Sequence, residues 1–128
     1  MKMRIRANSI RLRLQRGEVQ QFGANGKVEE TVCFDDNQSL KYAIESVATI
    51  DAVTAVMEGN SIHVKIPLAL ATQWILSNEI GIIGEQRLPN GKTLRILVEK
   101  DLQCLKPRTT GQWEDDCDAY PNPNPTCG

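Results

Sequence analysis

The sequence predicts a mainly β protein with two short helices, folded as a single pseudo-twofold barrel from two strand–strand–helix–strand–strand repeats. Three observations carry that expectation. The first is an internal echo: Ala7–Gln15 (Ala-Asn-Ser-Ile-Arg-Leu-Arg-Leu-Gln) returns at Gly59–Pro67 (Gly-Asn-Ser-Ile-His-Val-Lys-Ile-Pro), with an offset of 52 residues from Asn8 to Asn60. At that offset Ser9 falls on Ser61, Ile10 on Ile62, Arg13 on Lys65, Gln21 on Gln73 and Phe22 on Trp74. A fixed spacing of this kind marks a duplicated structural unit. The second is the alternation of polar and apolar residues that a half-buried strand requires. The third is the set of turn dipeptides between the alternating runs, Asn8-Ser9, Gly59-Asn60 and Asn90-Gly91 among them, where the local chemistry favours chain reversal.

In the first repeat, residues 2–6 send Met3 and Ile5 one way and Lys2, Arg4 and Arg6 the other. After the Asn8-Ser9 turn, Ile10, Leu12 and Leu14 alternate with Arg11 and Arg13, completing a hairpin whose polar face is rich in arginine. Arg16–Phe22 reads as a short helix with Val19 and Phe22 on one face, stopped by Asn25-Gly26. A third strand runs over Lys27–Phe34. A fourth places Leu40, Tyr42 and Ile44 against Lys41 and Ala43.

The second repeat follows the same order. Ala52–Met57 is a strand with Val53, Ala55 and Met57 on one side, and Ile62, Val64 and Ile66 then oppose His63 and Lys65. Pro67 suits a helix entry, where a missing N–H costs nothing. The helix carries an apolar stripe of Leu70, Ala71, Trp74 and Ile75 and ends at Ser77-Asn78. Ile80–Gln86 and Thr93–Glu99 form the last hairpin around Asn90-Gly91. Neither repeat can cover its own apolar face, so Ile10, Leu12, Leu14, Phe22 and Val28 are expected to share a core with Ile62, Val64, Ile66, Trp74 and Ile80. The expected organisation is one β-barrel domain over residues 1–104, made of repeats 1–49 and 50–104. A Pro/Asn/Asp-rich tail occupies 105–128.

Gly59-Asn60-Ser61, Val64, Ile66 and Pro67, followed by a short helix and a hairpin, resemble the swapped-hairpin family of bacterial transition-state regulators and antitoxins (AbrB/MazE type). The likeness covers Val53–Glu99 and, more loosely, Lys2–Ile44, where Gln15 stands in place of the proline. It implies that two units interleave their hairpins, here within one chain, and that basic side chains on the first hairpin approach DNA phosphates. The whole chain, including Glu99-Lys100-Asp101 before Cys104 and the Tyr120-Pro121-Asn122-Pro123 stretch, also resembles a group of small uncharacterised bacterial proteins. That resemblance implies no activity.

With 41% hydrophobic and 24% charged residues, the 128-residue chain has the composition of an ordinary globular protein with one modest core. Its apolar runs are too short to span a membrane, and the alternating start lacks the continuous apolar segment of a signal peptide. A cytoplasmic location is the resulting expectation. The net charge of −1 hides an asymmetry: residues 1–16 hold six basic groups and no acid, whereas the rest hold nine basic and sixteen acidic groups. Such a split marks either an anion-binding face or ordinary solvated charge.

Arg4, Arg6, Arg11, Arg13 and Arg16, with Lys65 from the second repeat, are therefore the candidate nucleic-acid or anion-binding residues. No cofactor is expected and no catalytic residue is assigned. His63, the single histidine, lies on the polar side of its strand and is expected to face solvent. Neither a nucleophile motif nor a glycine-rich phosphate loop is present in the sequence. Cys104, Cys117, Asp115 and Asp116 are weak metal candidates, since the four cysteines include no Cys-x-x-Cys pair. Trp113 and Tyr120 are expected to dock on the barrel, with Trp113 gaining roughly 2–3 kcal/mol from burial. The acids Glu114, Asp115, Asp116 and Asp118 would then oppose the arginine hairpin.

The leading functional expectation is a non-enzymatic module that binds a protein partner or nucleic acid through the basic hairpin. Having both repeats in one chain allows it to act as a monomer. The alternative is an enzyme or ligand-binding protein that holds a phosphorylated small molecule against the same arginines. Arginines lining a barrel interior would favour that alternative, and an outward-facing ridge would favour the module.

Overall fold

The computed structural model describes residues 1–102. The strands β1 (Lys2–Arg6) and β2 (Ser9–Leu14) lead into helix α1 (Arg16–Asn25), followed by β3 (Lys27–Cys33) and β4 (Ser39–Val47). The second half runs β5 (Thr54–Glu58), β6 (Ser61–Pro67), α2 (Leu68–Leu76), β7 (Gly81–Arg87) and β8 (Thr93–Lys100). The protein is mainly β with two short helices, as the alternation predicts.

The strands form two four-stranded sheets, ordered β1-β2-β8-β7 and β3-β4-β6-β5. Each sheet thus joins a hairpin of the first half to a hairpin of the second. The joints are parallel ladders: Ser9 to Leu14 beside Arg95 to Lys100 in one sheet, Lys41 to Val47 beside Ser61 to Pro67 in the other. The registers are equivalent. Ser9 opposes Arg95 and Ser61 opposes Lys41, so the offset of 52 on one side of the joint meets an offset of 54 on the other. The two added residues lie between α2 and β7, since Lys27 and Gly81 are already offset by 54 and the turns of both hairpins have equal length.

The repeated asparagine explains why the Asn-Ser dipeptide recurs. Asn8 Nδ2 donates to the Thr93 carbonyl at 2.9 Å, and Asn60 Nδ2 donates to the Ser39 carbonyl at 2.7 Å. In each case the backbone carbonyl of the same asparagine accepts from the facing strand, from Arg95 N and Lys41 N respectively. Each asparagine therefore bolts its own hairpin turn to the other half's hairpin. Immediately before them, Gly59 has φ +58° while Ala7 adopts φ +48°. The left-handed conformation is natural for glycine and strained for alanine.

Both helices fill the space between the sheets. Phe22 of α1 and Trp74 of α2, equivalent in the repeat, meet edge to face with centroids 6.4 Å apart, a geometry worth about 0.5–1.5 kcal/mol beyond burial. Trp74 Nε1 donates to the Ile80 carbonyl at 3.0 Å, so the buried indole leaves no polar orphan. Leu12, Leu14, Phe22 and Val28 from the first half and Val64, Ile66 and Trp74 from the second lie in one buried cluster, as the shared-core argument requires.

The structure departs from the sequence reading at several points. Neither sheet closes into a barrel. The seam between β5 and β7 is made by side chains instead: Ala55 N donates to Gln86 Oε1 at 2.8 Å, and Val53 packs beside Gly84. Ile80 is 43% exposed and Ile82 takes its core place, because β7 begins one residue later than the alternation suggests. Met57 faces inward by register with Ile62 but overhangs the core and is largely exposed. Ile10 and Ile62 are only half-buried. Pro67 ends β6 and caps α2 rather than sitting inside it, and Gln15 occupies the same position before α1.

A Cβ placed on Gly84 would come 2.7 Å from Val53 Cβ. Gly84→Ala is therefore expected to destabilise the protein by about 1–3 kcal/mol through overpacking of the seam. In a Val53→Ala background the same change should cost markedly less, measured by urea unfolding. Strictly additive costs would show that the two residues do not meet.

Candidate functional site

The parallel joint of β2 with β8 creates a basic face. Leu12, Leu14, Ile96 and Val98 point inward and are buried, so by alternation Arg11, Arg13, Arg95 and Glu99 stand on the outer side. In register, one row reads Arg4, Arg11, Leu97, Ile83 and the next Lys2, Arg13, Glu99, Gly81. A third reads Arg6, Ser9, Arg95, Glu85, with Arg87 beyond it on β7. Among the described residues, seven basic side chains thus share a surface with Glu85 and Glu99. Given the spacings of strands and of alternate residues, the three full rows span about 14 Å in each direction.

The outer position of this face follows from the sequence, but its full membership does not. Arg4, Arg6, Arg11 and Arg13 lie together as expected, and Arg4 and Arg6 are exposed. Arg87 and Arg95 belong with them and were missed. The alternation of β8 around Ile96 and Val98 was the available signal for Arg95, yet it acquires meaning only once β8 is known to adjoin β2. Arg16 opens α1 and Lys65 lies on the other sheet, so neither is brought into this face.

Glu99 is the internal counter-ion. Its Oε1 lies 3.3 Å from Arg11 Nε and 3.6 Å from Arg13 Nε. That oxygen is buried and has no hydrogen bond of good geometry, so charge holds it there. Lys2 Nζ approaches Asp101 at 3.7 Å at the end of the same row.

The equivalent outer face of the other sheet is chemically different. Lys27 contacts Glu29 at 3.4 Å and Glu45 at 3.5 Å, and His63 Nδ1 lies 3.3 Å from Glu45 Oε2. His63 is on the outer side, as expected, but its side chain is only 17% exposed. The expectation of an open solvent-facing histidine is corrected by this pairing. The hydrogen bond to Glu29, with smaller help from Glu45, holds the Lys27 ammonium above its ordinary value. Lys65 stands in register with Glu45. Opposite charges alternate across this face and neutralise one another.

A second ionic cluster pins β1. The Met1 ammonium contacts Glu18 and lies 3.2 Å from Glu30, while the Tyr42 hydroxyl donates to the Met1 carbonyl at 3.0 Å. Glu18 Oε1 also accepts from Gln15 N at 2.9 Å, capping α1. Burial works to raise the Glu18 carboxyl. The hydrogen bonds from the ammonium and from Gln15 outweigh it and hold the carboxyl below its ordinary 4.5. Burial likewise works to lower the Met1 ammonium, yet the bonds to Glu18 and Glu30 raise it above 8.0.

Among the described residues no cluster of His, Cys, Asp or Glu could hold a metal, and Cys33 is an exposed free thiol. Cys104, Cys117, Asp115, Asp116, Trp113 and Tyr120 lie outside the described residues. No described helix is long and apolar enough to cross a membrane.

Residues 1–124 match the family described as "Family of unknown function (DUF7009)". The chain belongs to that family. No curated protein matches it, and no solved structure does. DUF7009 membership extends over both halves and most of the segment that follows them, so the paired hairpins and the acidic residues beyond Leu102 fall within one family pattern.

The Met1–Glu18 contact makes stability depend on pH in both directions. A depressed carboxyl contributes above 4.5 and loses its contribution as pH falls through its folded value. A raised ammonium contributes below 8.0 and loses its contribution as pH rises through its folded value. The stability gap between wild type and Glu18→Gln should be widest between pH 4.5 and 8.0 and narrow on either side. A gap of constant size from acid through alkali in thermal melts would show that this contact is not the cause.

Proposed function

We propose that this protein is a non-enzymatic, cytoplasmic binding module that docks the phosphate backbone of a nucleic acid on the outer face of β1, β2 and β8. The observation that supports the reading is the clustering of Arg4, Arg6, Arg11, Arg13 and Arg95 on a sheet surface whose other side is core. Guanidinium groups recognise phosphate through a planar fork of donors, and such contacts supply most sequence-independent affinity. The face points outward, which favours docking against an extended anionic surface over enclosure of a small phosphorylated ligand. The exchange of hairpins between the halves is also the arrangement expected of a swapped-hairpin fold of the AbrB/MazE kind. In this reading one chain supplies both halves but only one of its two faces carries the charge to bind.

Titration of a labelled DNA duplex across a salt series tests the proposal. Neutralising four or five phosphates would give a log K against log salt slope of about −4. The double change Arg4→Ala, Arg6→Ala should reduce that slope by about 2 and weaken binding roughly tenfold or more. Lys65→Ala, on the other sheet, should leave both quantities nearly unchanged. Absence of binding at low salt, or an equal loss with Lys65→Ala, would overturn the assignment. Competition by an acidic protein but not by DNA would transfer the face to a protein partner.

A further inference from the structure

Glu99 is an unexpected residue to find within the basic face. It offsets one of the face's positive charges, and its Oε1 is hidden from solvent without a hydrogen bond of its own. Solvated charge would not need such an arrangement. A carboxylate at the equivalent place in the other sheet, Glu45, grips His63 at 3.3 Å. The repeat therefore supplies a carboxylate that reaches across each parallel joint. Only at Glu99 does that carboxylate engage two arginines, through the Nε of both. The contacts of 3.3 and 3.6 Å to one oxygen keep the two Nε atoms within 6.9 Å of each other.

An arginine side chain has many rotamers, and fixing two of them on a ligand costs affinity. Glu99 fixes them before the ligand arrives. Charge rather than a hydrogen bond holds both Nε atoms near the one oxygen, which keeps the two planar forks side by side. The contacting oxygen is hidden from solvent, while the Glu99 side chain as a whole is about as exposed as the two arginines. We infer that Glu99 is a positioning residue that holds Arg11 and Arg13 side by side so that one phosphate group of a polyanion is clasped by both. This inference rests on the phosphate-docking reading above and identifies the pair as its focal point.

The bland possibility is that Glu99 merely neutralises charge, and the two accounts move binding in opposite directions. Glu99→Gln removes one negative charge from the face, and so does Glu85→Gln in the Arg6, Ser9, Arg95, Glu85 row. If only charge matters, both variants bind duplex DNA more tightly than wild type, by similar factors. If Glu99 positions the pair, Glu85→Gln tightens binding while Glu99→Gln weakens it about tenfold despite the added positive charge.

The experiment is anisotropy titration of the full chain with a labelled duplex at two salt concentrations. It is paired with side-chain amide spectra of the arginine Nε–Hε groups. In wild type the Arg11 and Arg13 Hε signals should be shifted by the nearby carboxylate and report restricted side chains. In Glu99→Gln they should move to the positions of mobile arginines, with unchanged signals from core amides showing that the fold persists. Equal tightening by both variants, or Hε signals that do not respond to the change, would overturn the inference while leaving the phosphate-docking reading intact. Wild-type protein that binds no duplex at low salt would instead overturn that parent reading, and this one with it.

Discussion

Parallel pairing of β2 with β8 and of β4 with β6 is the constraint on which the other features depend. Parallel neighbours cannot be joined by a tight turn and need a crossing connection. Here the crossings are supplied by the other half of the chain. A hairpin such as β1-β2 has one apolar side and no partner of its own, and an isolated two-stranded hairpin is marginal in water. Docking it beside β8 completes a four-stranded sheet. The same step brings Leu12 and Leu14 into the cluster that holds Ile96 and Val98. The helices follow from the same constraint. Each leaves one sheet and enters the other, and Phe22 and Trp74 meet in the middle because the repeat places them at equivalent points.

The scaffold is nearly symmetric, whereas the chemistry on it is not. Arg4 and Arg6 correspond to Val56 and Glu58, and Arg11 and Arg13 correspond to His63 and Lys65, at the offset of 52. Outer positions bear little on the core, so duplicated halves can diverge there without unfolding. One face has concentrated guanidiniums. The other has balanced Lys27 and His63 with Glu29 and Glu45. The carboxylate across each joint is shared by both faces, as Glu99 and Glu45, which separates its part in holding hairpins together from any part in presenting arginines.

Much of this was legible in the sequence because strand alternation and the Asn-Ser repeat are local signals. The asparagines recur since each makes the same bond to the facing hairpin, and Phe22 and Trp74 recur since each fills the same space. The pairing of distant strands was not legible from periodicity. Arg95 therefore went unassigned, and Lys65 was grouped with arginines that lie on the other sheet. Arg16 was counted by its nearness in sequence, although the chain has already turned into α1 there. The closed barrel was expected from two repeats that must share one core and from their likeness to swapped-hairpin proteins. In the structure the β5–β7 seam is joined by Gln86 and by the packing of Val53 on Gly84, neither of which carries a strand signal. Ile80 and Ile82 are both isoleucines at alternate positions, so only the true start of β7 decides which is buried.

The central claim is that neither half has a sheet of its own. Dividing the chain between Thr49 and Ile50, in the connection from β4 to β5, and producing the two pieces separately tests it most directly. The account predicts that neither piece forms a folded monomer by amide-dispersion spectra. On mixing, a one-to-one complex should appear with cross-strand contacts between the Leu12 and Val98 backbones, whose pairing exists only if the hairpins exchange. Two pieces that each fold as monomers, or a complex lacking the Leu12–Val98 contact, would contradict it.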